Sequence, residues 1–96
     1  MNNSNRPNFA LSNRKNKKYM VISPKGKVIY FGGIKQDGTP YEQYEDKLGK
    51  YSKYDHNDKQ RRDRYLKRAK GIKDKQGKLT WKNKESANYY SIKYLW

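Results

Sequence analysis

The chain has 96 residues, and its 24 lysines and arginines outweigh nine aspartates and glutamates to leave a formal charge of +15 at pH 7. No run of about 18 apolar residues occurs, which excludes a transmembrane helix, and with no cysteine the fold has neither disulfides nor thiolate metal sites. So large a cationic excess calls for a polyanionic partner, nucleic acid first, then anionic membranes and acidic protein surfaces.

A chain of this length makes one small domain with a thin core. Only 32% of its residues are hydrophobic, but 15% are aromatic, among them ten tyrosines. Each ring buries a large apolar area while keeping a polar edge wet, so a small aromatic core is expected. Charge is partitioned along the chain. Residues 1–36 hold eight basic residues and no acid, residues 37–63 are nearly neutral, and residues 64–96 hold ten basic residues against two acids. AT-rich coding favours lysine and accounts for part of the excess of 18 lysines over six arginines. It does not account for Arg61, Arg62, Arg64 and Arg68 falling within eight residues.

In chain order, Met1–Ser12 lacks the apolar core of a secretory leader and reads as a polar tail. Residues 1–16 are expected to form a basic, polar arm and residues 17–96 a small α+β domain. Lys18–Ile22 and Lys27–Phe31 are β-prone segments flanking Ser23-Pro24-Lys25-Gly26, which predicts a β-hairpin. Tyr19 and Val21 with Val28 and Tyr30 form one candidate buried set; Met20 and Ile22 with Ile29 and Phe31 form the other. Gly32-Gly33 ends the hairpin and Asp37-Gly38 makes a second turn. Thr39-Pro40-Tyr41-Glu42 carries a helix-start pattern, and Tyr41, Tyr44 and Leu48 recur at helical spacing, predicting a short helix over 40–48 that Gly49 stops.

A second helix is predicted from about Lys59 to Ala69, capped by Asp58 or Asp55 and closed by Gly71. Tyr65, Leu66 and Ala69 share its apolar face with Arg62, while Arg61, Arg64 and Arg68 line up within about 60° of arc beside it. Lys73–Lys78 reads as a further turn or hairpin tip. The aromatic segment from Ser86 to Trp96 is expected to fold back over the domain, as a short helix capped by Ser86. On that helix Tyr89, Ile92 and Trp96 share one face, and Ala87, Tyr90 and Tyr94 another.

The order Lys18-Tyr19 with Gly26-Lys27, Tyr30-Phe31-Gly32, His56-x-Asp58-x-x-Arg61-Arg62-x-x-Tyr65-x-x-Arg68 and Tyr90-Ser91-x-x-Tyr94-Leu95-Trp96 resembles small basic proteins of giant nucleocytoplasmic large DNA viruses. The resemblance covers about residues 17–96 and is weakest from Gly71 to Glu85. It implies a viral origin, an uncharacterised virion-associated role, and a location in the virion or the interior of the infected cell rather than secretion. It implies no chemistry.

The arginine stripe of Arg61, Arg64 and Arg68, with Arg62, Lys67 and Lys70 near it, is the candidate anion-binding surface, since arginine grips phosphate as a planar fork. Tyr51, Tyr54 and Tyr65 are candidates for stacking on bases, with membership of an aromatic core the plainer reading of Tyr51 and Tyr54. His56 with Asp55 and Asp58 offers a nuclease-like cluster, but helix capping explains both aspartates more simply. A non-enzymatic role without cofactor or metal is therefore expected: binding of nucleic acid by phosphate neutralisation, as in genome packaging. The alternative is a minor capsid or inner-shell protein whose basic arms bridge acidic shell proteins, with a homo-oligomer or assembly with larger virion proteins expected.

Overall fold

The computed structural model describes residues 9–96. The fold is α+β: a three-stranded antiparallel sheet, β1 (Phe9–Leu11), β2 (Lys17–Ile22) and β3 (Val28–Gly33), followed by α1 (Lys59–Ala69) and α2 (Ala87–Tyr94). Residues 1–8 of the expected arm lie outside the described residues, and Phe9–Leu11 from its second half supply β1, which pairs with β2.

The predicted hairpin forms around a turn in which the Gly26 amide donates to the Ser23 carbonyl at 2.9 Å and Gly26 takes φ +83°. This loop sets Ile22 opposite Val28, Val21 opposite Ile29 and Tyr19 opposite Phe31. Opposed residues of an antiparallel pair point to the same face. The buried set is therefore Tyr19 and Val21 with Ile29 and Phe31, which mixes the two sets drawn from the sequence. Met20, Ile22, Val28 and Tyr30 lie on the opposite face, where Ile22 and Val28 are exposed.

Phe31 is fully buried at the centre of an aromatic cluster. Tyr19 stacks on it at 5.6 Å, Tyr90 from α2 approaches at 5.8 Å, and Phe9 meets it edge-on at 6.1 Å. Leu95 completes the core. Ser86 caps α2 through its hydroxyl, which accepts from the Asn88 amide at 3.2 Å, as expected. Of the two faces drawn for this helix, the one carrying Ala87, Tyr90 and Tyr94 turns to the sheet. The Lys73–Lys78 turn also forms, with the Gly77 amide donating to Asp74 O at 3.0 Å.

The helix predicted over 40–48 does not form. Alternate amides of this stretch bond to distant carbonyls instead: Tyr41 to Gly33 at 3.1 Å, Gln43 to Tyr54 at 3.2 Å, Glu45 to Leu95 at 3.1 Å and Lys47 to Tyr94 at 2.9 Å. Thr39 caps nothing, because no helix follows it, and its amide donates to Asp37 Oδ1 at 2.9 Å inside the preceding turn. A short isolated helix is marginal in water, whereas the extended path satisfies these groups and buries two polar side chains usefully. The Asp46 carboxylate accepts from the Tyr19 hydroxyl at 2.5 Å and from the Leu48 and Tyr51 amides, each at 2.8 Å. Gln43 bridges the Lys18 ammonium, at 2.5 Å, to the Asp55 carboxylate, also at 2.5 Å. The second helix of the fold is thus the C-terminal α2.

Asp58 is the cap of α1, accepting from the Gln60 amide at 2.9 Å and the Arg61 amide at 3.3 Å. At the other end of the helix, Asn88 of α2 donates to Ala69 O at 2.8 Å and to Thr80 Oγ1 at 2.9 Å. These bonds fix the orientation of α1, and with it the direction in which the arginine stripe points.

Candidate functional site

Arg61, Arg64 and Arg68 recur at i, i+3 and i+7, so α1 carries them on one side. That side forms one wall of a cleft of about 480 Å³. Lys17 and Lys18 at the start of β2, Gly32 and Gly33 at the end of β3, residues of α2 and Trp96 also line it, as does Glu42. Arg64 and Arg68 are exposed. Arg61 donates to Glu42 Oε1 at 2.9 Å, the single ion pair among the described residues. The guanidinium beside Glu42 holds that carboxyl below its ordinary range.

The floor is aromatic. Tyr65 lies flat on Trp96, ring centroids 4.0 Å apart and planes within 7°. Burial pushes the Tyr65 phenol above its ordinary value. Arg68 sits 5.9 Å from the Tyr65 ring centroid, so Tyr65 has one face covered by Trp96 and a cation near its ring. Tyr65 is the only expected stacking residue that borders the cleft. Tyr51 packs edge-on against Tyr19 at 5.4 Å in the core, and Tyr54 lies in a 3-10 turn with the Lys53 ammonium 5.3 Å from its ring.

Arg62 belongs elsewhere than its neighbours. Its Nε donates to the Trp96 backbone oxygen at 2.6 Å and its guanidinium lies 5.2 Å from the Tyr44 ring. It anchors the C-terminal segment, which explains an arginine on the apolar side of α1, and it does not border the cleft. Lys67 and Lys70 are exposed but do not border the cleft, and the Lys70 ammonium rests 5.0 Å from the Trp81 ring.

Gly32 and Gly33 are the last residues of β3, and the space that a side chain would take at each is filled. Gly32 has φ +80°, and a Cβ there would lie 3.0 Å from both Leu95 Cδ1 and Lys18 Cβ. At Gly33 a Cβ would lie 2.9 Å from Tyr41 Cδ2. Lys18 is drawn across this bare backbone into the interior, where its ammonium donates to Tyr41 O at 2.6 Å and to Gln43 Oε1. Burial pushes its pKa down to about 8, against the opposing pull of Asp46 and Asp55.

His56 lies outside the cleft lining. Its ring is 5.2 Å from Trp96 and 6.1 Å from Tyr44, and Nδ1 accepts from the Asp58 amide at 2.9 Å, which leaves the ring proton on the buried Nε2. Burial first, and the charge of Arg61 second, lower its pKa. Asp55 is occupied by Gln43 and the Asp46 amide, and Asp58 by the start of α1. Among the described residues, no group of three or more His, Asp or Glu side chains is arranged to hold a metal ion.

No family model, curated protein or solved structure matches this chain. The site must therefore be read from its own chemistry. Among the described residues, no helix is long and apolar enough to cross a membrane. The cleft gathers fixed positive charge over an aromatic floor, an arrangement suited to holding an anion by charge-assisted hydrogen bonds.

Lys17, Glu42 and Trp96 join the cleft from positions the stripe did not predict. Lys17 is half-buried and was hidden among many lysines. For Glu42 the helix-start pattern pointed to a capping role, when its carboxylate instead meets Arg61. No local pattern connects Trp96 to Tyr65, because their contact depends on the fold of the whole C-terminal segment.

Proposed function

We propose that the protein binds the phosphate backbone of nucleic acid without reading sequence, and that the cleft beside α1 is its principal contact. The observation that carries this reading is the convergence of Arg61, Arg64, Arg68 and Lys17 on one concave surface with a single carboxylate in its lining. Arg64 and Arg68 are within ion-pair distance of no acid among the described residues. Cations so arranged replace condensed counterions around phosphates, giving affinity that falls steeply with salt. Arginine forks suit phosphate oxygens better than lysine charges do.

The test is the affinity of the purified protein for a duplex and a single-stranded oligonucleotide of unrelated sequences across a range of salt. The reading predicts binding to all sequences alike with a steep salt slope. Weak binding that ignores salt would refute it and favour acidic shell proteins as the partner. The resemblance to proteins of large DNA viruses extends the proposal to a role inside the virion, as a genome-binding component. Purified particles separated into shell and core test that extension, and recovery with the shell alone would contradict it.

A further inference from the structure

A second cationic surface lies at the other end of the β2–β3 hairpin. There the Ser23–Lys27 and Asp74–Lys78 turns border the same hollows, and Glu85 ties the first of them to the segment that leads into α2. One Glu85 oxygen accepts from the Ser23 hydroxyl at 2.5 Å and the other from the Lys25 amide at 3.1 Å. Asp74 Oδ1 accepts from the Gln76 amide at 2.8 Å and the Lys78 amide at 3.0 Å. Both carboxylates at this end are thus engaged by donors of the fold itself. Lys25, Lys27, Lys75, Lys78 and Lys82 border the shallow hollows around them and are all exposed. None is within ion-pair distance of an acid among the described residues.

We propose that this tip is a second phosphate-binding surface and that the protein bridges two segments of nucleic acid, one in the cleft and one on the tip. The inference rests on the nucleic-acid-binding reading above. Lys17 opens β2 and Ser23 follows its end, so the two surfaces are separated by a strand's length, about 20 Å at 3.3 Å per residue. Neither Tyr19–Ile22 nor Val28–Phe31 carries a charged residue. Along the hairpin itself, therefore, no cation joins cleft to tip, and the remaining route between them runs past α1, where Lys67, Lys70 and Lys73 are exposed. The tip, built of exposed lysines, is the weaker of the two, because lysine offers a hydrated point charge where arginine offers a preorganised fork.

Beads carrying an immobilised duplex are loaded with protein, washed, and offered a second, fluorescent duplex. The wild type captures it. A variant with Lys25, Lys27, Lys75, Lys78 and Lys82 each changed to Gln keeps affinity for the first duplex within about threefold but loses second-duplex capture by about tenfold or more. Circular dichroism of the variant verifies the fold, which these exposed side chains do not hold together. Capture undiminished in the variant overturns the proposal, including the case in which a second copy of the chain does the bridging. Affinity for the first duplex that falls as far as in an Arg64→Ala/Arg68→Ala variant also overturns it, by showing one continuous surface. Failure of the wild type to hold even the immobilised duplex refutes the binding reading itself, a result distinct from binding without capture.

Discussion

Replacing Arg64 and Arg68 together with alanine removes the two stripe arginines that are exposed and outside the Arg61–Glu42 pair. Neither holds the fold together: Arg62, which anchors Trp96 at 2.6 Å, is left in place, and so is the Asp58 cap. Exposed substitutions of this kind change stability by about 0.5 kcal/mol or less. Each phosphate contact on a duplex contributes about 0.9 to the slope of log affinity against log salt, so losing two flattens the slope by about 1.8. Between 50 and 200 mM salt, a fourfold change, the wild type then loses about 12-fold more affinity than the variant does. Fluorescence anisotropy with a labelled duplex at these two concentrations reads the difference. Equal slopes for wild type and variant would refute the assignment of phosphate contacts to this face of α1.

Glu42→Gln tests the same surface in the opposite direction: it frees Arg61, so duplex affinity should rise and the salt slope steepen by up to about 0.9, and unchanged binding would remove Arg61 from the contact. Asp46→Ala leaves the buried Tyr19 hydroxyl and the Leu48 and Tyr51 amides without their acceptor. Urea denaturation should show a loss of about 3 kcal/mol, and a loss below about 1 kcal/mol would contradict the role given to this carboxylate. Gly32→Ala combines a left-handed backbone with three contacts at 3.0 Å, whereas Gly26→Ala has a similar φ of +83° and no neighbour within 4 Å. The Gly32 variant should therefore lower the melting temperature further, and equal effects would mean that packing at Gly32 is slack. The Lys18 ammonium has its pKa lowered from 10.5 to about 8, so the unfolded chain holds that proton more tightly, and this group makes stability rise with pH above about 8. The Tyr19 phenol, pushed up from 10.0 by burial, has the opposite effect at higher pH, so the window to read is pH 8 to 10. Denaturant midpoints there should climb less in Lys18→Met than in the wild type, and identical climbs would contradict the burial of a charged Lys18.

Elements whose signals are local were legible in the sequence. Asp58 and Ser86 cap helices through their own side chains, and the residues around Gly26 make a turn with little help from the rest of the chain. The segment 40–48 has equally good local signals, yet its amides find carbonyls at Gly33, Tyr54, Leu95 and Tyr94, partners that no window of sequence contains. β1 escaped notice because three residues, Phe9–Leu11, carry too little pattern beside an asparagine-rich stretch. The buried face of the hairpin was ambiguous for a related reason: moving the pairing by one residue exchanges the faces, and the turn decides it.

The stripe itself was legible from helical spacing alone, and Arg61, Arg64 and Arg68 do line one cleft. What the spacing could not separate was Arg62, one position along, whose guanidinium is turned to Trp96 and Tyr44. Nor could it assign Lys18, a lysine like 17 others in composition, to the interior.

The most direct test of the central claim is an amide and indole chemical-shift map of the protein titrated with a short duplex. The account predicts that the largest changes cluster at Lys17, Gly33, the α1 arginines and the Trp96 indole, with a second, weaker group at the lysine tip, while Met20 on the open sheet face between them stays still. Changes spread evenly over all exposed lysines, Lys47, Lys50 and Lys53 included, would contradict it, because they would mean that net charge alone, and no particular surface, holds the nucleic acid.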